Sequence, residues 1–311
     1  MKVILHIGAH RCATTSFQGY LGRKERELSA RGIVCVGPKR IRSGLFHGIQ
    51  PGPMPVIGRD PQKRARGRLA LHMRSLSDVG MQSVLFTDAS MMGRLEENIA
   101  AGSLYAGIGE RLARYDWAFD GAISDVVLNI RSLDTWWASA LSHSLTVTER
   151  WPGHDQLAKI AEARRTWRDV ITDIYCAMPG ARLLVCPHED FATRPAAQLS
   201  AVTGQPSPAT SGMFRLNPSL RLPHLRASLP ARIACRLPAG NGRWGPFTEM
   251  QAASLREAYA DDMMWLIGGA DGYAELLESP NKNKGRETAP TRHLTRGTTH
   301  DPTEGHMAGA G

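Results

Sequence analysis

Residues 5–16 combine residue types and a spacing that suit the binding of an anion. An apolar run before them predicts a buried strand, and the apolar spacing from Phe17 onward predicts a helix. The first backbone N–H groups of a helix have no partner inside the helix, and the helix dipole favours negative charge there. Arg11 adds a guanidinium, and residues 14–16 add three hydroxyl groups. This strand, turn and helix therefore predict a site for phosphate or sulfate.

The turn differs from the P-loop of nucleoside triphosphatases, G-x-x-x-x-G-K-[ST]. Gly8 matches the first glycine, but Ala13 stands in place of the second and Thr14 in place of the lysine. Together with His6, the turn instead resembles the 5′-phosphosulfate loop, H-x-G-x-x-K-[TS]-G-T-T, of sulfotransferases that use 3′-phosphoadenosine 5′-phosphosulfate (PAPS). Relative to that pattern, Arg11 replaces lysine and Ala13 replaces glycine.

A second segment adds to this resemblance. The apolar run 126–130 predicts a strand buried on both faces, Arg131 follows it, and Ser139 lies in the next predicted helix. This resembles the family's second motif, in which such an arginine and serine bind the 3′-phosphate of PAPS. A guanidinium and a hydroxyl suit a phosphate monoester. The order Gly-x-Trp-x-x-Phe-Thr at 242–248 resembles the family's late loop, with Arg243 or Arg236 as a phosphate contact, although the family's Arg-Lys-Gly triplet is absent.

The resemblance covers about residues 1–266 and implies a reaction. A sulfuryl group would pass from PAPS to a hydroxyl or amine of a small-molecule or carbohydrate acceptor, without a metal ion. Arg11 would stabilise the charge that develops on the bridging oxygen as the bond breaks. The residues that the resemblance implies for binding PAPS are His10, Arg11, Cys12, Ala13, Thr14, Thr15, Ser16, Arg131, Ser139 and Arg243.

No motif identifies the base that would deprotonate the acceptor. Asp88 is the first candidate, because it follows the apolar run 83–86 and ligands bind beyond the carboxyl ends of parallel strands. The same carboxylate could bind Mg²⁺ or cap the next helix. His47, in the glycine- and proline-rich segment 37–59, is the second candidate, because an unperturbed imidazole pKa of about 6.5 suits proton transfer.

Two other functions remain open. One is a kinase that uses Mg²⁺ and ATP, with Asp88 as a metal ligand, although the P-loop lysine is missing. The other is a non-catalytic nucleotide-binding protein. It is indicated by Ala13, by the missing base motif and by Ala89, which stands where a family-like glutamate is expected.

The composition predicts a protein of the cytoplasm that binds anions. The chain has 311 residues and a formal net charge of +9, and it contains neither a signal peptide nor an apolar segment of membrane-spanning length. The basic cluster at 59–68 has no interleaved aromatic residues, which argues against nucleic acid. The five cysteines are widely spaced without a C-x-x-C pair, so we expect free thiols and no zinc site.

Apolar runs alternate with helical patterns along the chain. Core strands are predicted at 3–5, 83–86, 126–130 and 182–186, with a short strand at 33–36 and long helices at 14–31 and 154–178. This order predicts an α/β fold, a P-loop NTPase-like three-layer sandwich with a mostly parallel central sheet and helices on both faces. The predicted domain spans 1–278, and the polar segment 279–311 is predicted to be a disordered tail.

Overall fold

A six-stranded parallel sheet forms the centre of the computed structural model, which describes residues 1–49, 60–210 and 214–278. The strands are β1 (Lys2–His6), β2 (Ile33–Val36), β3 (Ser83–Thr87), β4 (Asp125–Ile130), β5 (Arg182–Pro187) and β6 (Glu275–Leu276). They lie in the order β2-β3-β1-β4-β5-β6, and all neighbours are parallel. The prediction of an α/β fold with a central parallel sheet is confirmed.

Helices cover both faces of this sheet. They are α1 (Thr14–Arg23), α2 (Glu25–Ser29), α3 (Pro38–Arg40), α4 (Pro61–Asp78), α5 (Leu95–Ala101), α6 (Ile108–Ala118), α7 (Leu133–Thr148), α8 (His154–Ala161), α9 (Trp167–Ala177), α10 (His188–Phe191), α11 (Pro195–Thr203), α12 (Leu222–Ala227), α13 (Ala231–Ala234) and α14 (Glu249–Ile267). Alternate strand residues enter two separate hydrophobic clusters, Leu5 on one face and Ile4 on the other. Because both faces are buried, the strands read as continuous apolar runs.

The helices that follow the two central strands pack on opposite faces of the sheet. β1 pairs with β4, and α1 after β1 packs into the smaller cluster through Phe17. The helix after β4, α7, packs into the larger cluster through Trp136. Such a divergence opens a crevice beyond the carboxyl ends of the two strands, where open α/β sheets bind ligands. The fold thus places the turn before α1 and the start of α7 on the two sides of one crevice.

Several predicted boundaries were wrong. The helix expected at 154–178 is two helices, α8 and α9, and the second has its own capping box of Thr166 and Asp169. The helix expected at 14–31 is interrupted at Lys24, which separates α1 from α2. The segment expected to be irregular from residue 37 contains α3 and a π-helical turn, Ile41–Leu45.

The described residues belong to one compact unit. The predicted tail at 279–311 and the part of the glycine- and proline-rich segment at 50–59 lie outside the described residues. Within the described residues, no helix combines the length and the apolar character required to span a membrane.

Candidate functional site

The turn at residues 7–13 has a conformation that accounts for its glycine. Gly8 has φ 57°, and a Cβ built on it would lie 2.5 Å from Oγ1 of Thr14. Arg11 and Ala13 also lie in the left-handed region, with φ 63° and 64°. A side chain in that region costs about 1–2 kcal/mol, so Ala13 introduces strain that glycine would avoid.

The end of this turn presents unpaired backbone donors. Ala13, Thr14 and Thr15 carry N–H groups that donate to no backbone or side-chain acceptor among the described residues. All three residues line a cavity of about 460 Å³ above the carboxyl edge of the sheet, which we call the first cavity. These N–H groups and the positive end of the α1 dipole suit an anion.

The three hydroxyl groups of the turn have different roles. Thr14 Oγ1 donates to the carbonyl of Ala9 at 3.0 Å and closes the turn. Ser16 Oγ accepts from the N–H of Leu216 at 2.8 Å and so ties α1 to a distant loop. Thr15 is exposed, so its hydroxyl is the one best placed to meet a ligand. All three residues line the first cavity.

Arg11 extends across the crevice to α7. Its Nε donates to Ser139 Oγ at 2.9 Å and its Nη2 to Ser219 Oγ at 3.5 Å, and the two serine oxygens are 2.6 Å apart. From the other side, Arg131 Nη1 donates to the Arg11 carbonyl at 3.2 Å. Arg131 is itself oriented by Thr135, whose Oγ1 accepts from Nε at 2.9 Å. The structure therefore brings together the residues that the two motifs singled out.

The first cavity is strongly cationic. Among the described residues, five arginines and two carboxylates line it; they are Arg11, Arg42, Arg94, Arg131, Arg215, Asp88 and Glu96. Burial lowers the pKa of both Arg11 and Arg131, and the charge of Arg131 lowers the pKa of Arg11 further. Two desolvated guanidiniums that line one cavity favour the entry of an anion that both can bind.

A second cavity of about 300 Å³ adjoins the first and extends the anion-binding surface. Arg131 and Ser219 line both cavities, while Ser139 and Arg243 line the second. The buried Trp244 contributes an apolar ring to its wall. An elongated ligand with an anionic group at each end and a flat apolar group fits this pair of cavities.

Asp88 is placed at the site but is engaged in an ion pair. It is fully buried at the end of β3, and its two oxygens accept from Nε and Nη2 of Arg42 at 2.8 and 2.7 Å. One oxygen also accepts from the N–H of Ser90, so Asp88 caps the short helix that follows. Of the roles considered for Asp88, the cap is the one that these contacts show.

His47 does not join the site. Its side chain is exposed and is not among the described residues that line either cavity. Its carbonyl accepts a hydrogen bond from Arg68 of α4. Within the described residues, no group of three or more His, Cys, Asp or Glu side chains is arranged to hold a metal ion.

Neutral imidazoles line or support the first cavity. Burial lowers the pKa of His10, which stacks on Tyr105, to about 4. His188 also lines the cavity, and burial and the charge of Arg131 lower its pKa to about 3. The pKa of His143 is lowered by partial burial and then by Arg11. At neutral pH all three imidazoles are therefore uncharged, and each is a weaker base than a free imidazole.

Below the turn, His6 joins three strands through a buried polar network. Its Nδ1 contacts Thr87 Oγ1 at 2.7 Å on β3, and its Nε2 contacts Asn129 Oδ1 at 2.8 Å on β4. Burial lowers its pKa to about 4. His6 therefore supports the turn from within the core as a neutral imidazole.

Cys12 and several residues from later loops differ from the sequence prediction. Cys12 is buried, lines neither cavity among the described residues, and has a thiol pKa raised by burial. The prediction missed Arg42, Arg215 and Ser219, which lie in segments without apolar periodicity. No local pattern could have indicated them, because their site contacts join residues far apart in the chain.

Comparisons of the chain with protein-family models, with curated proteins and with solved structures found no match.

Proposed function

We propose that this protein is a sulfotransferase that moves a sulfuryl group from PAPS to a hydroxyl or amine of a small-molecule or carbohydrate acceptor in the cytoplasm. The observation that carries the proposal is the hydrogen-bonded contact of Arg11 with Ser139 and of Arg131 with Arg11. This contact joins the turn before α1 to the Arg131 end of the crevice. A nucleotide with anionic groups on both its 5′ and 3′ sides suits such a paired site better than one with a single polyphosphate chain.

The residues suggest how each part of the reaction is assisted. The N–H groups of Ala13, Thr14 and Thr15, with Arg11, would bind the 5′-phosphosulfate. Arg131 and Ser139 would bind the 3′-phosphate, with Arg243 at the edge of the second cavity. As the acceptor oxygen bonds to sulfur, the bond from sulfur to the bridging oxygen breaks, and the developing negative charge is stabilised by the same cationic surface.

The acceptor proton requires a base near the first cavity. Asp88 has both oxygens engaged by Arg42, so it could act only after that ion pair opens. His10, His143 and His188 line the cavity and have lowered pKa values, so they are uncharged at pH 7. We favour one of these imidazoles as the proton acceptor because of their position: they line the first cavity, whereas both oxygens of Asp88 are engaged and His47 is not among the described lining residues. Their lowered pKa values make them weaker bases than a free imidazole.

Isothermal titration calorimetry tests the proposal against the two alternatives. We expect adenosine 3′,5′-bisphosphate to bind more tightly than ATP, with equal affinity in the presence of Mg²⁺ and of EDTA. A Mg²⁺-dependent preference for ATP would overturn the proposal in favour of a kinase. Transfer of ³⁵S from labelled PAPS to a panel of phenols, sugars and amines supports catalysis. Bisphosphate binding without any transfer favours a non-catalytic protein.

A further inference from the structure

A larger cavity of about 630 Å³ lies beside the first cavity, between α1, the end of β2 and α3. We call it the lateral cavity. Half of its described lining residues are apolar side chains or glycines; they are Leu21, Gly22, Cys35, Val36, Gly37 and Pro38. Its volume lies within the range of about 300–1,000 Å³ that is typical of small-molecule sites. The residues of the turns before α1 (7–13) and after β3 (88–92) are not among the described residues that line the lateral cavity.

The lateral cavity and the first cavity share a wall. Gln18 of α1 lines both, and its Nε2 donates to the carbonyl and to Oγ1 of Thr87 at 3.3 and 3.2 Å. Thr87 lines the lateral cavity, and the next residue, Asp88, lines the first. One side chain and the end of β3 thus stand between the two spaces. A ligand that reaches past Gln18 would touch both.

The rim of the lateral cavity is cationic. Lys39 and Arg40 line it from α3, are exposed, and form no ion pair with an acidic side chain in the described part of the chain. Glu25, exposed at the start of α2, is the acidic residue among the described lining residues. Burial, with a smaller effect of Glu25, raises the pKa of Cys35 to about 12, so the thiol stays uncharged and the wall stays apolar.

We propose that the lateral cavity binds the apolar ring system of an anionic molecule whose carboxylate or sulfate lies against Lys39 and Arg40, and that this molecule is the acceptor. The second half of this statement rests on the proposed function. The wall and the rim indicate this ligand class. Burial of an apolar ring against the wall contributes favourable binding free energy, and so does the contact of an anionic group with the two unpaired cations of the rim. A hydroxyl at the far end would extend past Gln18 towards the first cavity.

The matched probes 6-hydroxy-2-naphthoate and 2-naphthol test the binding half by calorimetry, because they differ only in the carboxylate. We expect the naphthoate to bind at least 10-fold more tightly than the naphthol. The double variant Lys39→Gln/Arg40→Gln should remove most of this difference without changing the affinity for 2-naphthol. Equal affinities of the two probes for the wild-type protein would overturn the assignment of an anionic ligand.

Filling the cavity provides a second variant with little risk to the fold. A Cβ at Gly22 meets no atom within 4 Å, and leucine is a better helix former than glycine, so Gly22→Leu should fold. It should weaken naphthoate binding at least 10-fold. Gly67→Leu is the matched control, because Gly67 lies in α4, also faces open space and lines none of the three cavities described above. Unchanged binding by Gly22→Leu would place the probe elsewhere and overturn the proposal.

The acceptor half is tested by transfer of ³⁵S from PAPS to the hydroxyl of 6-hydroxy-2-naphthoate. In that step an S–O bond forms to the naphthoate oxygen, the bond to the bridging oxygen of PAPS breaks, and the hydroxyl proton leaves to a base. We expect transfer by the wild-type protein and its loss in Gly22→Leu with unchanged bisphosphate affinity. A protein that binds bisphosphate and naphthoate but transfers no label contradicts the acceptor role alone. A protein that binds no bisphosphate contradicts the proposed function itself.

Discussion

Replacing Arg131 with alanine should weaken the binding of adenosine 3′,5′-bisphosphate while changing that of 5′-AMP little. Arg131 is 5% exposed, and its Nε and Nη1 are held by Thr135 and by the Arg11 carbonyl. Its Nη2 donates to no protein acceptor among the described residues. The guanidinium is thus oriented in advance, with a donor left for a phosphate that only the bisphosphate carries on the 3′ side.

The expected magnitude follows from the loss of one charge-assisted contact in a desolvated site. Such a hydrogen bond contributes about 1.5–3 kcal/mol, which corresponds to a rise of about 10- to 150-fold in the Kd of the bisphosphate. Arg131→Lys keeps the charge but loses the planar fork, so we expect an intermediate rise. The loss of the bond to the Arg11 carbonyl affects both nucleotides alike, and the ratio of their affinities removes this contribution.

Calorimetry with both nucleotides measures that ratio. Arg150→Ala is the matched control, because Arg150 is exposed and is not among the described residues that line the first, second or lateral cavity, yet its loss lowers the net charge equally. We expect the control to keep the wild-type ratio. If Arg131→Ala discriminates bisphosphate from 5′-AMP as well as the wild-type protein does, the 3′-phosphate assignment is wrong.

Three further predictions concern the turn and its support. Ala13→Gly should raise the free energy of unfolding by about 1 kcal/mol, because φ 64° strains alanine; an unchanged urea midpoint would contradict this. Gly8→Ala should lower it by about 2–4 kcal/mol, because its Cβ would clash with Thr14, and urea unfolding measures this loss. Burial lowers the pKa of His6 to about 4, so between pH 6.5 and 4 the unfolded chain binds a proton that the folded chain does not. The free energy of unfolding therefore falls as the pH is lowered through this range. His6→Gln should reduce this slope by about 1.4 kcal/mol per pH unit.

The sequence predicted the core strands of the sheet, because these strands are buried on both faces. Four of the last five residues of β4 are apolar because the whole strand is buried, and the remaining one, Asn129, contacts His6. The end of the strand, and so the residue that follows it, is then located within one position. Arg131 could be placed at the crevice for this reason. In contrast, β6 has two residues, too few for any periodic pattern.

The later loops of the site were not predictable from local patterns. The contact of Arg42 with Asp88 joins residues 46 positions apart, and that of Ser139 with Ser219 joins residues 80 apart. Neither Arg42, in a helical turn, nor Ser219, in a loop, carries a local signal of its partner. The break between α8 and α9 was readable, since a threonine followed three residues later by aspartate at 166–169 is a capping box.

A structure of the protein bound to adenosine 3′,5′-bisphosphate tests most directly whether the turn before α1 and Arg131 bind the two ends of one nucleotide. We expect the 3′-phosphate within hydrogen-bonding distance of Arg131 and Ser139. We expect the 5′-phosphate at the N–H groups of Thr14 and Thr15, with no metal ion between them. A nucleotide bound in the reverse direction, or with its 3′-phosphate in solvent away from Arg131, would contradict this two-ended binding.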